Sequence, residues 1–158
     1  MKAVAVVAIK NELEHQSPAE LIELCLRLSK FKKENKELLT YLLFESNDEA
    51  SYIDSVKQEL DSQFETINTD SYYFIKKSVR KVLRNLKKYA KYSAKKETEV
   101  ALLLYFCERL INFKPSIKKD KVLTNIYDRQ ILNIKKIVAS FHEDLQYDFN
   151  LALEELEN

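Results

Sequence analysis

Apolar positions recur along this chain every three to four residues, which is the spacing of amphipathic helices. The most apolar stretch is Val100–Cys107, eight consecutive apolar residues inside a helical pattern that continues to Phe113. A helix that is apolar on all sides cannot face water, so we expect it to lie at the centre with other helices packed around it. This stretch is the predicted core of the protein.

Three helices are predicted in the first 44 residues. The first covers about residues 2–15, although several β-branched residues near its start weaken helical structure. The second begins at Pro18, because Ser17 and Glu20 occupy the two side-chain positions of a capping box. The third covers about residues 34–44 and is apolar nearly all round, so it is predicted to be a second buried helix.

Two more helices are predicted before the core helix. Ser46 and Glu49 match a second capping box, and a single apolar stripe follows them to about Ile67. Asp70 is expected to cap the next helix, which runs to about Tyr92.

Pro115 ends the core helix, because the residue before a proline is pushed out of the helical region. From about residue 118 an apolar stripe keeps helical spacing to Leu156, which allows one long helix or two. Ser140 and Glu143 match a third capping box, so a break there is favoured. The prediction is an all-α protein of seven or eight helices packed as hairpins, either α-solenoid-like or an irregular bundle.

The length of 158 residues fits one domain, residues 1–158. A weak internal repeat relates residues 17–67 to residues 71–140, because in each a leucine-rich helix follows a short lysine-rich turn. The alternative is that any two buried leucine-rich helices look alike. A true repeat would favour stacked helical hairpins.

The composition excludes several kinds of site. The chain has no glycine, so it lacks the Walker A loop, the dinucleotide-binding GxGxxG and the GxSxG nucleophile elbow. Cys25 and Cys107 lie in apolar helical runs and are predicted to be buried free thiols, with no Cys/His spacing that suits zinc. Glu12-x-x-His15 supplies only half of a di-iron motif. We assign no catalytic, cofactor or metal residue and do not expect an enzyme.

The cysteines and the lengths of the apolar runs indicate the cellular compartment of the protein. No disulfide framework is visible, which favours the cytoplasm. No run is long enough to span a bilayer, and the apolar residues 3–9 lack a signal-peptide cleavage site. The net charge of +1 does not favour any class of partner.

The predicted fifth helix is strongly basic. Between Ser71 and Lys96 there are ten basic residues and no acidic ones. At about 100° per residue, the cations from position 76 to position 91 share an arc of about 140°, opposite an apolar face that holds Val79 and Leu86. The candidate polyanion-binding residues on this arc are Tyr73, Lys76, Lys77, Arg80, Lys81, Arg84, Lys87, Lys88 and Lys91.

Two interpretations of this basic arc are open. Acidic neighbours could neutralise it, since residues 45–70 hold eight acidic residues and residues 141–158 hold six. Alternatively, the arc binds nucleic acid or another polyanion, with Tyr73 stacking on a base. The predicted function is a non-catalytic helical interaction or scaffold module that binds a partner protein or associates with itself. Nucleic-acid binding is the alternative.

Overall fold

The computed structural model describes all 158 residues, and it contains eight α-helices and no strand, which confirms the all-α prediction. The chain divides into two compact units, residues 1–44 and residues 45–158. The single domain and its internal repeat remain predictions. The helices are α1 (Val6–Glu14), α2 (Pro18–Phe31), α3 (Lys33–Thr40), α4 (Glu49–Glu65), α5 (Tyr72–Ser93), α6 (Lys96–Ile111), α7 (Lys121–Val138) and α8 (Glu143–Glu157). A π-helical turn occupies Tyr41–Glu45, and a 3-10 turn occupies Ile117–Lys119.

The first unit, residues 1–44, is formed by α1, α2 and α3, with α2 packed against α3. The start of α2 is fixed by its predicted capping box. The Glu20 backbone N–H donates to the Ser17 hydroxyl at 3.2 Å, and the Ser17 backbone N–H donates to the Glu20 carboxylate at 3.0 Å. Two backbone donors that the helix cannot satisfy itself are thereby paired.

The prediction of a second buried helix at residues 34–44 is wrong. The α-helix ends at Thr40, and Leu42, Leu43 and Phe44 are 54%, 60% and 75% exposed. The first unit contains only three helices, of 9, 14 and 8 residues, and none of them holds a buried residue. This unit therefore has too few neighbouring helices to surround an apolar segment.

Helix α6 is the centre of the second unit, residues 45–158, because it packs against α4, α5, α7 and α8. Its side chains Val100, Leu102, Leu103, Phe106 and Leu110 are completely buried. The prediction that this apolar stretch forms the core is confirmed. A helix with four helical neighbours can bury most of its circumference, which explains why apolar residues are tolerated on nearly every side.

The neighbours of α6 contribute one apolar face each. From α4, Val56, Leu60 and Phe64 are buried, and the ring centroids of Phe64 and Phe106 lie 5.9 Å apart. From α5, the predicted apolar face is buried and the opposite face is not. Burial of this face fixes the rotation of α5 and therefore the direction in which its cations point.

Two predicted helix caps are wrong. Helix α4 is capped by Asp48, whose carboxylate accepts from the Ser51 backbone N–H at 3.1 Å, and not by Ser46. The same bond is the main cause that lowers the pKa of Asp48. Asp70 does not cap α5, because Ser71 takes the N-cap position, where no side-chain capping bond forms. The Asp70 backbone N–H donates to the Asn68 side chain in the preceding turn.

The break between α7 and α8 is confirmed, although its cap differs from the prediction. His142 is the N-cap of α8, and its Nδ1 lies 3.5 Å from the Asp144 backbone nitrogen. The Ser140 hydroxyl instead donates backwards to the Ile137 carbonyl at 2.6 Å. Ser140 therefore stabilises the end of α7, and the N-cap of α8 is supplied by His142.

Candidate protein-binding and polyanion-binding surfaces

The exposed apolar side chains of this protein are concentrated in its first unit. Of the 21 large apolar side chains that are exposed, 15 belong to residues 1–44. Lone exposed apolar residues are ordinary, but a dense set of them marks an interaction surface. The six exposed side chains of the second unit are Tyr73, Phe74, Leu132, Leu145, Tyr147 and Leu151.

Helix α2 presents its apolar residues in two directions. Ile22 and Leu26, which are 61% and 48% exposed, are about 40° apart on the helical projection. Leu24 faces another direction, where it lines a cleft of about 530 Å³ between α1 and α2 with Ile9 and Leu13. Cys25 is exposed, so the prediction of a buried thiol there is wrong. Like the apolar side chains around it, the thiol is not covered by another helix.

The charges of the first unit are separated along the chain. Residues 11–24 contain four acidic residues and no lysine or arginine, whereas residues 25–36 contain five basic residues and one acidic residue. On α2, Glu23 and Lys30 are seven residues apart and lie within about 20° of each other, at one edge of the surface formed by Ile22 and Leu26. This apolar surface is therefore bordered by an acidic and a basic side chain.

The cations of α5 form a continuous exposed surface, which we call the basic face. It consists of Lys77, Arg80, Lys81, Arg84, Lys87 and Lys91, all of them exposed. No carboxylate lies within 4.0 Å of their charged nitrogens, since the ion pairs of the second unit involve other cations. At about 1.5 Å per residue the basic face is about 21 Å long.

The three remaining candidates lie on the same helix as the basic face. Lys76 is partly buried and forms an ion pair with Asp120 at 3.3 Å. Lys88 is also partly buried, with its Nζ 5.2 Å from the centroid of the Tyr89 ring. Tyr73 is 67% exposed. The structure therefore brings the predicted residues together on one helix but leaves only part of the set open to a ligand.

Three carboxylates of the acidic segments that could neutralise the basic face have other partners. Asp61 of α4 accepts from the Tyr105 hydroxyl at 2.7 Å and lies 3.0 Å from Arg109 Nε, both on α6. Glu49 accepts from the Thr98 hydroxyl at 2.6 Å and pairs with Lys95 at 3.3 Å.

In the C-terminal segment, the carboxylate of Glu157 pairs with Lys135 of α7. The pair between Glu49 and Lys95 involves a cation from the strongly basic region, and Lys95 lies beyond the end of α5. The basic face itself keeps its positive charge.

A second basic cluster was not predicted from the sequence. Lys114, Lys118, Lys119 and Lys121 are exposed. They are joined to the start of α5 by two contacts, the ion pair of Lys76 and a hydrogen bond of 2.9 Å from the Tyr72 hydroxyl to the Ser116 carbonyl. The sequence did contain a sign of this cluster, since four lysines occur within eight residues. Their position beside α5, however, is set by the fold and is not visible in the sequence.

The second unit also contains an open groove of about 1320 Å³ lined by residues of α6, α7 and α8. Leu104, Ile131 and Phe149 supply apolar surface, and Tyr105 and Tyr127 supply phenols. Burial, followed by the Asp61 hydrogen bond, raises the pKa of Tyr105 to about 12. Burial also raises the pKa of Tyr127. Both phenols are therefore neutral hydrogen-bonding groups near neutral pH.

The other chemically notable side chains are isolated. Burial raises the pKa of the Cys107 thiol to about 12, which removes its nucleophilic thiolate form near neutral pH. His15 Nδ1 lies 2.7 Å from the Asn11 carbonyl oxygen of the preceding turn. No group of three or more His, Cys, Asp or Glu side chains is arranged to hold a metal ion. No helix combines the length and apolarity needed to cross a bilayer.

Comparisons of this chain with known protein families, with curated proteins and with solved structures gave no match.

Proposed function

We propose that this protein is a non-catalytic interaction module that associates with a second copy of itself through residues 1–44. The observation that carries the proposal is the set of 15 exposed apolar side chains in this unit, whose three α-helices bury no residue. Exposed apolar surface costs about 25 cal/mol per Å² relative to its burial. A bound protein would remove that cost.

A second copy fits this surface better than a strongly charged partner does. Residues 1–44 contain seven basic and six acidic side chains, so two copies of the unit do not repel each other appreciably. A helical segment of this size without its own core gains stability mainly from association. A second copy is always present in the matching amount, which another protein partner is not.

The order of charges on α2 supports an antiparallel arrangement of the two copies. In an antiparallel pair, the N-terminal half of one helix faces the C-terminal half of the other. Glu23 of one copy then lies opposite Lys30 of the second, and the same pair forms again by symmetry. Ile22 and Leu26 of both copies pack beside these two ion pairs.

The first test is the oligomeric state of the full chain, measured by sedimentation velocity and light scattering over a wide range of concentration. We expect a dimer that dissociates on dilution. Ile22→Glu combined with Leu26→Glu should give a monomer with unchanged helical circular dichroism from the second unit. The matched control is Leu132→Glu with Leu151→Glu, at positions 66% and 44% exposed in the second unit. It should remain dimeric.

The second test is a charge exchange on α2. Glu23→Lys should weaken the dimer roughly tenfold, because it places like charges together at both symmetric positions. Adding Lys30→Glu should restore the affinity. A wild-type chain that is monomeric at every concentration would refute the proposal. Failure of the second substitution to restore the dimer would refute the antiparallel arrangement.

A further inference from the structure

The basic face of α5 has the dimensions of a site for a linear polyanion. Its six cations follow one side of the helix for about 21 Å, most of them three or four residues from the next. Along a nucleic-acid strand, phosphates recur about every 3.4 Å in a regular duplex. The basic face is therefore long enough to contact several consecutive phosphates.

The way α5 is buried argues against a lipid surface as the ligand. A helix that lies in a membrane interface inserts its apolar side chains among the lipid chains. On α5, however, Ile75, Val79, Val82 and Leu86 are at most 3% exposed, because they belong to the core of the second unit. Beyond Tyr73 and Phe74 in the first turn, the exposed side chains of α5 are all basic, and they suit a ligand that carries its charges in a row.

The basic surface continues beyond the first turn of α5. The contacts of Tyr72 with Ser116 and of Lys76 with Asp120 hold residues 114–121 beside this turn. Four more exposed lysines are thereby added to one end of the basic face. Since Asp120 is occupied by two backbone N–H groups and by Lys76, it does not neutralise them.

An exposed aromatic pair stands at the same end. Tyr73 and Phe74 are 67% and 43% exposed, and their ring centroids are 5.4 Å apart in an edge-on arrangement. Tyr73 falls within the arc of the cations on the helical projection. An aromatic ring beside a row of phosphate-binding cations is the combination that proteins use to stack unpaired bases.

We propose that the basic face, together with Lys118, Lys119 and Lys121, binds a single strand of nucleic acid, with one base stacked on Tyr73. This site consists only of residues of the second unit and does not depend on self-association. Lysine and arginine would supply affinity without sequence preference, because they contact phosphates. Tyr73 would favour unpaired bases over a duplex, whose bases are already stacked.

The test is a fluorescence-anisotropy titration of the full chain with a labelled single-stranded oligonucleotide at several salt concentrations. We expect binding that weakens steeply with salt. Arg80→Glu with Arg84→Glu should abolish it, and the milder Arg80→Ala with Arg84→Ala should lower the slope of log K against log salt by about 1.4. Arg129→Glu with Lys136→Glu is the matched control, since these exposed side chains of α7 lie outside the basic face.

A second variant tests the base contact independently of charge. Tyr73→Ala should weaken single-strand binding roughly tenfold to hundredfold and leave binding of inorganic polyphosphate unchanged. Tyr147→Ala, at a position 66% exposed on α8, is the control. Absence of binding at low salt, or equal losses in the α7 control, would overturn the site. Tighter binding to duplex, to polyphosphate or to anionic lipid vesicles would overturn its assignment to a single nucleic-acid strand.

Discussion

The two units of this chain contain similar apolar helices but bury them very differently. Residues 45–158 hold 23 of the 24 buried apolar side chains, whereas residues 1–44 hold only Tyr41. Helix α2 has a clear amphipathic pattern, weaker than those of α5 and α7 but stronger than that of α4, yet its apolar side chains remain largely exposed. The difference lies in the neighbours, because α6 is packed against four helices and α2 mainly against the short α3.

This difference shows what an apolar pattern means physically. The pattern indicates that burying one face of the helix lowers the free energy of the protein. The decrease scales with the apolar area that is covered. The pattern does not indicate whether the covering surface comes from the same chain. In the second unit the covering helices follow within the chain, and in the first unit we propose that a second copy supplies them.

The two cysteines give the most sensitive comparison of the units. Cys25 is exposed and Cys107 is completely buried, with a pKa raised to about 12. A thiol-specific reagent near neutral pH should modify Cys25 at least about a thousandfold faster, because Cys107 reacts only after an opening that costs several kcal/mol. The rates are measured spectroscopically with the single variants Cys25→Ser and Cys107→Ser.

The same burial gives a pH dependence with a definite sign. Folding raises the pKa of Cys107 above its usual value of 9.0 to about 12. Ionisation therefore favours the unfolded chain, so this contribution to stability is complete below pH 9 and decreases as the pH rises towards 12.

Rapid modification of Cys107 in the folded Cys25→Ser variant would contradict the closed core.

Substitutions that remove apolar side chains should have unequal effects in the two units. Phe106→Ala should lower the free energy of unfolding of the second unit by about 3–5 kcal/mol, because it leaves a cavity in a closed core. Leu26→Ala, at a position 48% exposed, should change the same quantity by less than about 0.5 kcal/mol. Urea unfolding followed by circular dichroism measures both. A large effect of Leu26→Ala would contradict the distinction between the units.

The presence of a helix could be predicted from the sequence, because helix formation depends on local periodicity and on local caps. Val100–Cys107 and the capping box at Ser17 and Glu20 were identified correctly, since both signals involve residues within a few positions of each other. Ser46 and Asp70 failed for a reason that is also local. Asp48 stands closer to the start of α4 and caps it, whereas Ser71 takes the N-cap position of α5 without a side-chain hydrogen bond.

Burial and charge neutralisation were less predictable because they depend on contacts far apart in the sequence. The helical projection gave the direction of the α5 cations, but it could not show that Asp61 pairs with Arg109, 48 positions later. It also could not place residues 114–121 beside the first turn of α5. Exposure at residues 34–44 was mispredicted because an apolar segment was assumed to be covered by its own chain.

Helix caps also allow the two units to be compared, and the free-energy changes expected from removing a cap are smaller. Asp120 accepts hydrogen bonds from the backbone N–H groups of Val122 and Leu123 at 2.9 and 3.0 Å. The Leu123 N–H is the main cause that lowers its pKa, with Lys76 contributing. Asp120→Ala should cost about 1–2 kcal/mol of second-unit stability near neutral pH.

The pH dependence of this variant checks the cause. Because folding lowers the pKa of Asp120, its contribution is present above pH 3.8 and is lost as the pH falls through the lower folded-state value. The stability difference between wild type and Asp120→Ala should therefore shrink in acid. A difference that is constant across this range would exclude the carboxylate as its source.

The smallest predicted effect is that of Ser17→Ala, which removes the capping box of α2. The substitution should cost about 1 kcal/mol of local helix stability. Because the first unit buries almost nothing within its own chain, this loss should increase hydrogen exchange in α2 and weaken the proposed dimer, while the unfolding midpoint of the second unit stays constant. Hydrogen exchange and urea unfolding on the same sample separate the two quantities. A shift in that midpoint as large as the one caused by Asp120→Ala would mean that α2 contributes to the core of residues 45–158, and the distinction between a closed and an open unit would fail.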